Sequence, residues 1–175
     1  MARRILVVGA TGVLRPAALA LASSWATVVA WALHPESLAG LVSAARAPVE
    51  TLAVDYSDGD AVTKTLSAHG PFDAALLYCP TACADVVTAF ADAVKGPVVC
   101  LLTSAAAQPV HDAPFELASV DVPQGCRRLL LGWAEDDGVT RWHTPEEISA
   151  AALDVLFTGH ERLLGVVRPW DRRPT

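Results

Sequence analysis

Five aliphatic runs, Ile5–Val8, Thr27–Trp31, Val49–Val54, Ala74–Tyr78 and Val98–Thr103, are each followed by a segment long enough to hold a crossover helix. Unbroken aliphatic strands are buried on both faces, as in a parallel sheet covered by helices, and the crossovers joining them are right-handed. The intervening segments carry helix signals. Ser37 to Arg46 follows a His-Pro-Glu turn, Asp58 is placed to cap a helix running to Ser67, and Val86, Val87, Phe90 and Val94 share one face of a helix over Ala82 to Val94. Five βα units in succession predict an α/β fold: one domain over residues 1–175, doubly wound, with a mainly parallel sheet of about six or seven strands.

The last part is less regular. Arg127 to Trp133 reads as a sixth strand and Leu163 to Val167 as a final one. Between them, Thr144-Pro145-Glu146-Glu147 places a capping hydroxyl, a proline at the first helical position and a glutamate at the third, so a helix starts there with Ile148, Ala152, Val155 and Leu156 as its inner stripe. Ser104 to Gln124, about twenty residues without a strong period, is long for a structureless connection and is expected to wall or cover a site.

Composition narrows the function classes. The chain is 53% hydrophobic, rich in Ala and Val, as a doubly covered sheet requires. A net charge of −6 excludes the clustered basic surface expected of a nucleic-acid binder. Arg3-Arg4 followed by apolar residues imitates a secretory signal, but Gly9, Thr11 and Gly12 cut the run short, so a cytoplasmic protein without a membrane segment is expected. Of the four cysteines, Cys79 and Cys83 are spaced one residue too widely for a C-x-x-C motif, and no metal site is expected.

The chemistry concentrates after the first strand. Gly9 permits a tight turn, Gly12 lets backbone approach a ligand, and the amides of the next helix converge with its dipole on a place suited to an anion. Arg15 stands where a third glycine would pack helix on strand. In an open α/β sheet the ligand lies beyond the carboxyl ends of the strands. The other candidates are therefore Leu33 after the second strand, Asp55 and Tyr56 after the third, Tyr78 after the fourth and Ser104 after the fifth.

Gly9-Ala10-Thr11-Gly12, framed by strand and helix, resembles the turn of the short-chain dehydrogenase/reductase superfamily, a Rossmann-type fold, and especially of its atypical, NmrA-like branch. Arg141-Trp142, Thr144 to Ile148 and Pro169-Trp170-Asp171 are similar to segments of small bacterial proteins of that kind. The resemblance implies an NAD or NADP cofactor whose pyrophosphate lies at Gly9, Thr11, Gly12, Val13 and Leu14. It implies adenine beside Asp55 and Tyr56, the nicotinamide ribose near Tyr78, and Ser104 where the superfamily often carries a catalytic Ser or Thr. Leu33 occupies the place of the acidic residue of NAD-preferring members, and Arg15 is a candidate contact for the extra phosphate of NADP, the cofactor expected here.

The Tyr-x-x-x-Lys pair of classical members is missing: the only tyrosines are Tyr56 and Tyr78, the only lysines Lys64 and Lys95. The candidate catalytic residues are therefore Ser104, Tyr78 and His111, the last in the irregular segment. Phe115 and Leu117 are expected to pack that segment down, with Trp133 and Trp142 lining an apolar pocket below. The expected function is an oxidoreductase moving hydride between NADP(H) or NAD(H) and a small, largely apolar molecule. A non-redox cyclase, isomerase or lyase on the same scaffold, or a non-enzymatic dinucleotide sensor, stays open. A homodimer is expected from the tryptophan-rich C-terminal part.

Overall fold

A computed structural model describes residues 3–24, 26–109 and 114–175. Strands β1 (Arg3–Val8), β2 (Ala26–Ala32), β3 (Val49–Ala53), β4 (Ala74–Leu77), β5 (Val98–Thr103), β6 (Arg127–Leu131) and β9 (Arg162–Leu164) form one parallel sheet in the order β3-β2-β1-β4-β5-β6-β9. Order reverses between β1 and β4, which opens a crevice at their carboxyl ends.

Alternation along each strand feeds two buried cores. Ile5, Val7, Val28, Leu76, Val99 and Leu101 pack under α1 (Arg15–Ala22), α2 (Pro35–Ala44) and α5 (Pro145–Thr158). Leu6, Val8, Val29, Trp31, Leu77 and Cys100 face the opposite side, under α3 (Gly59–His69) and α4 (Ala84–Asp92). At full burial, Trp31 stands edge-on to Phe90 with centroids 4.9 Å apart, and its Nε1 donates to the Val54 carbonyl at 2.9 Å.

Two expected caps are formed. The Asp58 carboxylate accepts from the Ala61 amide at 3.0 Å. Thr144 and Glu147 exchange bonds at the start of α5, the Thr144 hydroxyl accepting from the Glu147 amide and the Glu147 carboxylate from the Thr144 amide.

The sixth strand ends at Leu131, before the expected Trp133. At Gly132 an added Cβ would meet the carbonyls of Val166 and Leu164, and beyond it the chain leaves the sheet. It forms an antiparallel hairpin, β7 (Trp133–Asp136) with β8 (Val139–Trp142), turning through Asp137 and Gly138, both at positive φ. The last strand is likewise shorter than expected, with Val166 bridging to Trp133. A third apolar cluster of Ala107, Leu130, Trp133 and Val167 ties these parts together, and Phe115 and Leu117 pack against it as expected. No helix among the described residues is long and apolar enough to cross a membrane.

Candidate functional site

The turn from Gly9 to Leu14 crosses the crevice at the switch in strand order. Gly9 sits at φ +82°, its amide donating to the Trp31 carbonyl at 3.0 Å, and an added Cβ would stand 2.8 Å from the Tyr78 carbonyl oxygen. At Gly12 an added Cβ would meet nothing closer than the Gly9 carbonyl at 3.8 Å, so this backbone is open to a ligand. The amides of Gly12 and Arg15 are used within the turn, whereas no backbone carbonyl among the described residues accepts from those of Thr11, Val13 and Leu14. Free N–H groups at the start of α1 suit an anion.

The missing third glycine does not open a packing fault. Ala17 and Ala18, fully buried in α1, make the close approach to the sheet, and Arg15 stands exposed at the helix's first position. The turn is held from the other end of the chain: Ser149, on α5 and 2% exposed, donates its hydroxyl to the Val13 carbonyl at 2.9 Å. Ser149→Ala removes that donor and is expected to lower stability by about 1–3 kcal/mol, read by urea unfolding. An unchanged midpoint would show that the Val13 carbonyl needs no protein partner.

The residues after the strands gather at the same end of the sheet. Leu33, just past β2, is 48% exposed. Past β3, the Asp55 carboxylate accepts from the Ser57 amide at 2.8 Å, and that bond, aided by the Ser57 hydroxyl, holds its pKa below the usual value. The Tyr56 phenol oxygen accepts from the Thr81 hydroxyl at 3.4 Å. Burial, reinforced by nearby Tyr56, pushes the Tyr78 phenol up. The Cys79 thiol is pushed up to about 11 by burial, so it stays protonated at neutral pH.

Tyr78, Ser104 and Val13 line one cavity of about 260 Å³, together with Leu131, Trp142, His143, Ile148 and Arg173. Trp142 thus lines the pocket as expected, while Trp133 is fully buried beneath it, edge-on to Trp170. His111 lies outside the described residues. Neither lysine lies on this cavity; Lys95 is at the opposite end of the sheet with Arg3 and Asp73. Among the described residues no group of three or more His, Cys, Asp or Glu side chains is arranged to hold a metal ion.

Three residues of this site escape a reading of the sequence: Ser149, His143 and Arg173. The His143 ring is buried with Nδ1 3.3 Å from the Glu147 carboxylate, and its Nε2 has no partner among the described residues. Glu147 also takes both terminal nitrogens of Arg141 at 2.8 and 2.9 Å. That pair, then the Thr144 amide, holds the Glu147 carboxyl down at about 2. Arg173 enters from the C-terminal turn, its Nε donating to the Ser104 hydroxyl oxygen at 3.0 Å.

Neither a protein-family model nor a curated protein matches the sequence. The fold is similar to many solved structures. One is a short-chain dehydrogenase/reductase (glucose/ribitol dehydrogenase) from Brucella melitensis, with TM-score 0.68 and 17% identity over 94% of this chain and 94% of the other. Another is a metagenomic short-chain oxidoreductase in complex with NADP, with TM-score 0.65 and 19% identity over 94% and 96%. A third is an NADPH-dependent reductase involved in bacilysin biosynthesis, with TM-score 0.64 and 15% identity over 95% and 98%. At such identities the likeness is one of fold.

Proposed function

We propose that the chain is an NAD(P)(H)-dependent oxidoreductase of the short-chain dehydrogenase/reductase superfamily, in its atypical, NmrA-like branch, acting on a small organic substrate. The carrying observation is the glycine turn at the strand-order switch, with three free amides, opening onto the cavity that holds Tyr78 and Ser104. Likeness of fold to an NADP complex supports the same cofactor class.

The residues present fit a dinucleotide. The amides of Thr11, Val13 and Leu14 would hold the pyrophosphate, and Gly12, bare of a side chain, gives it room. Asp55 and Tyr56 would flank the adenine. Leu33 presents no carboxylate to the ribose, and exposed Arg15 is free to meet an added phosphate, which favours NADP over NAD. The nicotinamide, when bound, supplies the hydride. Tyr78 keeps its proton at neutral pH and is the group that would give it to the substrate, with Ser104 fixing the reacting atom. Leu131, Trp142 and Ile148 give the cavity an apolar wall for the body of a substrate.

Titration with NADPH and NADH, followed by nicotinamide fluorescence, tests this. Saturable binding with NADPH preferred is expected, together with cofactor oxidation on some carbonyl or imine substrate. No binding at millimolar cofactor would remove the oxidoreductase reading. Binding without turnover would favour the dinucleotide sensor, a role compatible with the missing tyrosine–lysine pair. Arg15→Gly is expected to weaken NADPH about tenfold or more and leave NADH unchanged, since it deletes a charge-assisted contact to phosphate. Equal NADPH affinity in the two proteins would exclude that contact.

A further inference from the structure

The C-terminal turn places a cation over the site. Arg173 binds the buried Ser104 oxygen through Nε, and its guanidinium carbon lies 4.9 Å from the Trp142 ring centroid and 5.6 Å from that of Trp170. Two aromatic rings and one hydrogen bond position the guanidinium of this exposed residue without neutralising it. Arg4, Arg128, Arg141, Arg162 and Arg172 each face a carboxylate. Arg173 faces none among the described residues, and with Nε engaged its two terminal nitrogens are left to donate elsewhere. A planar pair of such donors matches a carboxylate, and the fork is pre-organised by what already holds it.

The rest of the wall specifies what such an anion would carry. Val13, Leu131 and Ile148 are apolar, and beside Arg173 the polar side chains of the lining are the hydroxyls of Thr103, Ser104 and Tyr78 and the His143 ring, none of them a carboxylate. We propose that Arg173 is the specificity-determining residue of this cavity, binding the carboxylate of a small organic acid whose apolar body lies against Val13, Leu131 and Ile148. The inference rests on the reading of the cavity as the substrate site beside a dinucleotide, and it sharpens that reading from a largely apolar molecule to an apolar monocarboxylate. The carboxylate end fixes orientation, so the reacting carbon falls between Arg173 and Tyr78.

Trp142 and Trp170 flank the guanidinium, so tryptophan fluorescence reports on its occupancy. The probes are benzoate and its neutral counterpart benzamide, titrated with and without NADP⁺. Benzoate is expected to bind at least about tenfold more tightly than benzamide, as a charge-assisted pair requires. The preference is expected to vanish in Arg173→Gln and to survive in part in Arg173→Lys, which keeps the charge and loses the fork. Equal affinities for the two probes in the natural protein would overturn the proposal, as would an Arg173→Gln variant that keeps the preference. If Arg173→Gln instead loses NADP⁺ affinity about tenfold and the natural protein shows no benzoate preference, the guanidinium serves the cofactor pyrophosphate and the proposal fails. Failure of the natural protein to bind NADP⁺ would remove the dinucleotide reading alone, because the benzoate comparison is read without it.

Discussion

Gly9→Val is expected to destabilise the protein by at least about 3 kcal/mol, most of the stability of an ordinary domain at the low end of its range. Two costs add. At φ +82° a side chain meets the left-handed penalty of about 1–2 kcal/mol, and a β-branched one is least tolerated there. The new Cβ would also stand 2.8 Å from the Tyr78 carbonyl oxygen. That backbone has little freedom to retreat, since the Tyr78 amide donates to the Val8 carbonyl at 3.1 Å and the Gly9 amide is tied to Trp31. Gly12→Ala is the comparison: with open space around its Cβ it should change the melting temperature little, while NADPH affinity falls because the methyl occupies the ligand's approach. Thermal unfolding followed by circular dichroism separates the two. Equal loss of stability in both variants would mean that Gly12 serves the turn's own packing, and a stable Gly9→Val protein would mean that the β1–β4 crevice yields more than its hydrogen bonds suggest.

What could be read from the chain followed the range over which each feature is determined. The runs of β1, β2, β4 and β5 are legible because these strands are buried on both faces, so their position in the fold is written in consecutive residues such as Leu6, Val7 and Val8, whereas β3, at the sheet edge, buries only Leu52. Asp58 and Thr144 are legible for a similar reason, since a cap is completed within three residues. The hairpin after β6 had a local signal as well: Asp137-Gly138 is the dipeptide that supplies two positive φ angles in succession, although exposed neighbours such as Val139 gave it no apolar alternation. Continuing β6 through Trp133 failed because that tryptophan is buried in a third cluster, outside the two layers that cover the sheet. Ser149 meets the turn from 136 residues away and Arg173 meets Ser104 from 69 away, and such pairings exist only after the sheet has closed. The glycine turn is local and could be read; the groups that meet it from distant parts of the chain are not.

Tyr78→Phe is expected to lower kcat by about 10²–10⁴, roughly 3–5 kcal/mol of barrier, and to leave NADPH affinity and melting temperature near those of the natural protein. The ring stays to fill its place beside the apolar core, and no hydrogen bond to the Tyr78 phenol is lost among the described residues. The pH profile carries a second signature. Burial and Tyr56 raise the folded-state pKa of this phenol above 10, so the proton-bearing form persists through neutral pH and is lost only as pH rises past that raised value. Turnover should therefore show no alkaline limb through neutral and mildly basic pH, falling only beyond the ordinary tyrosine range, and that fall should disappear in the phenylalanine variant. A limb near neutrality would point to a group with a much lower pKa. Unchanged turnover in Tyr78→Phe would make the tyrosine a wall of the cavity, leaving the donor role to Ser104, whose oxygen already accepts from Arg173 and whose own proton is therefore directed away from the guanidinium.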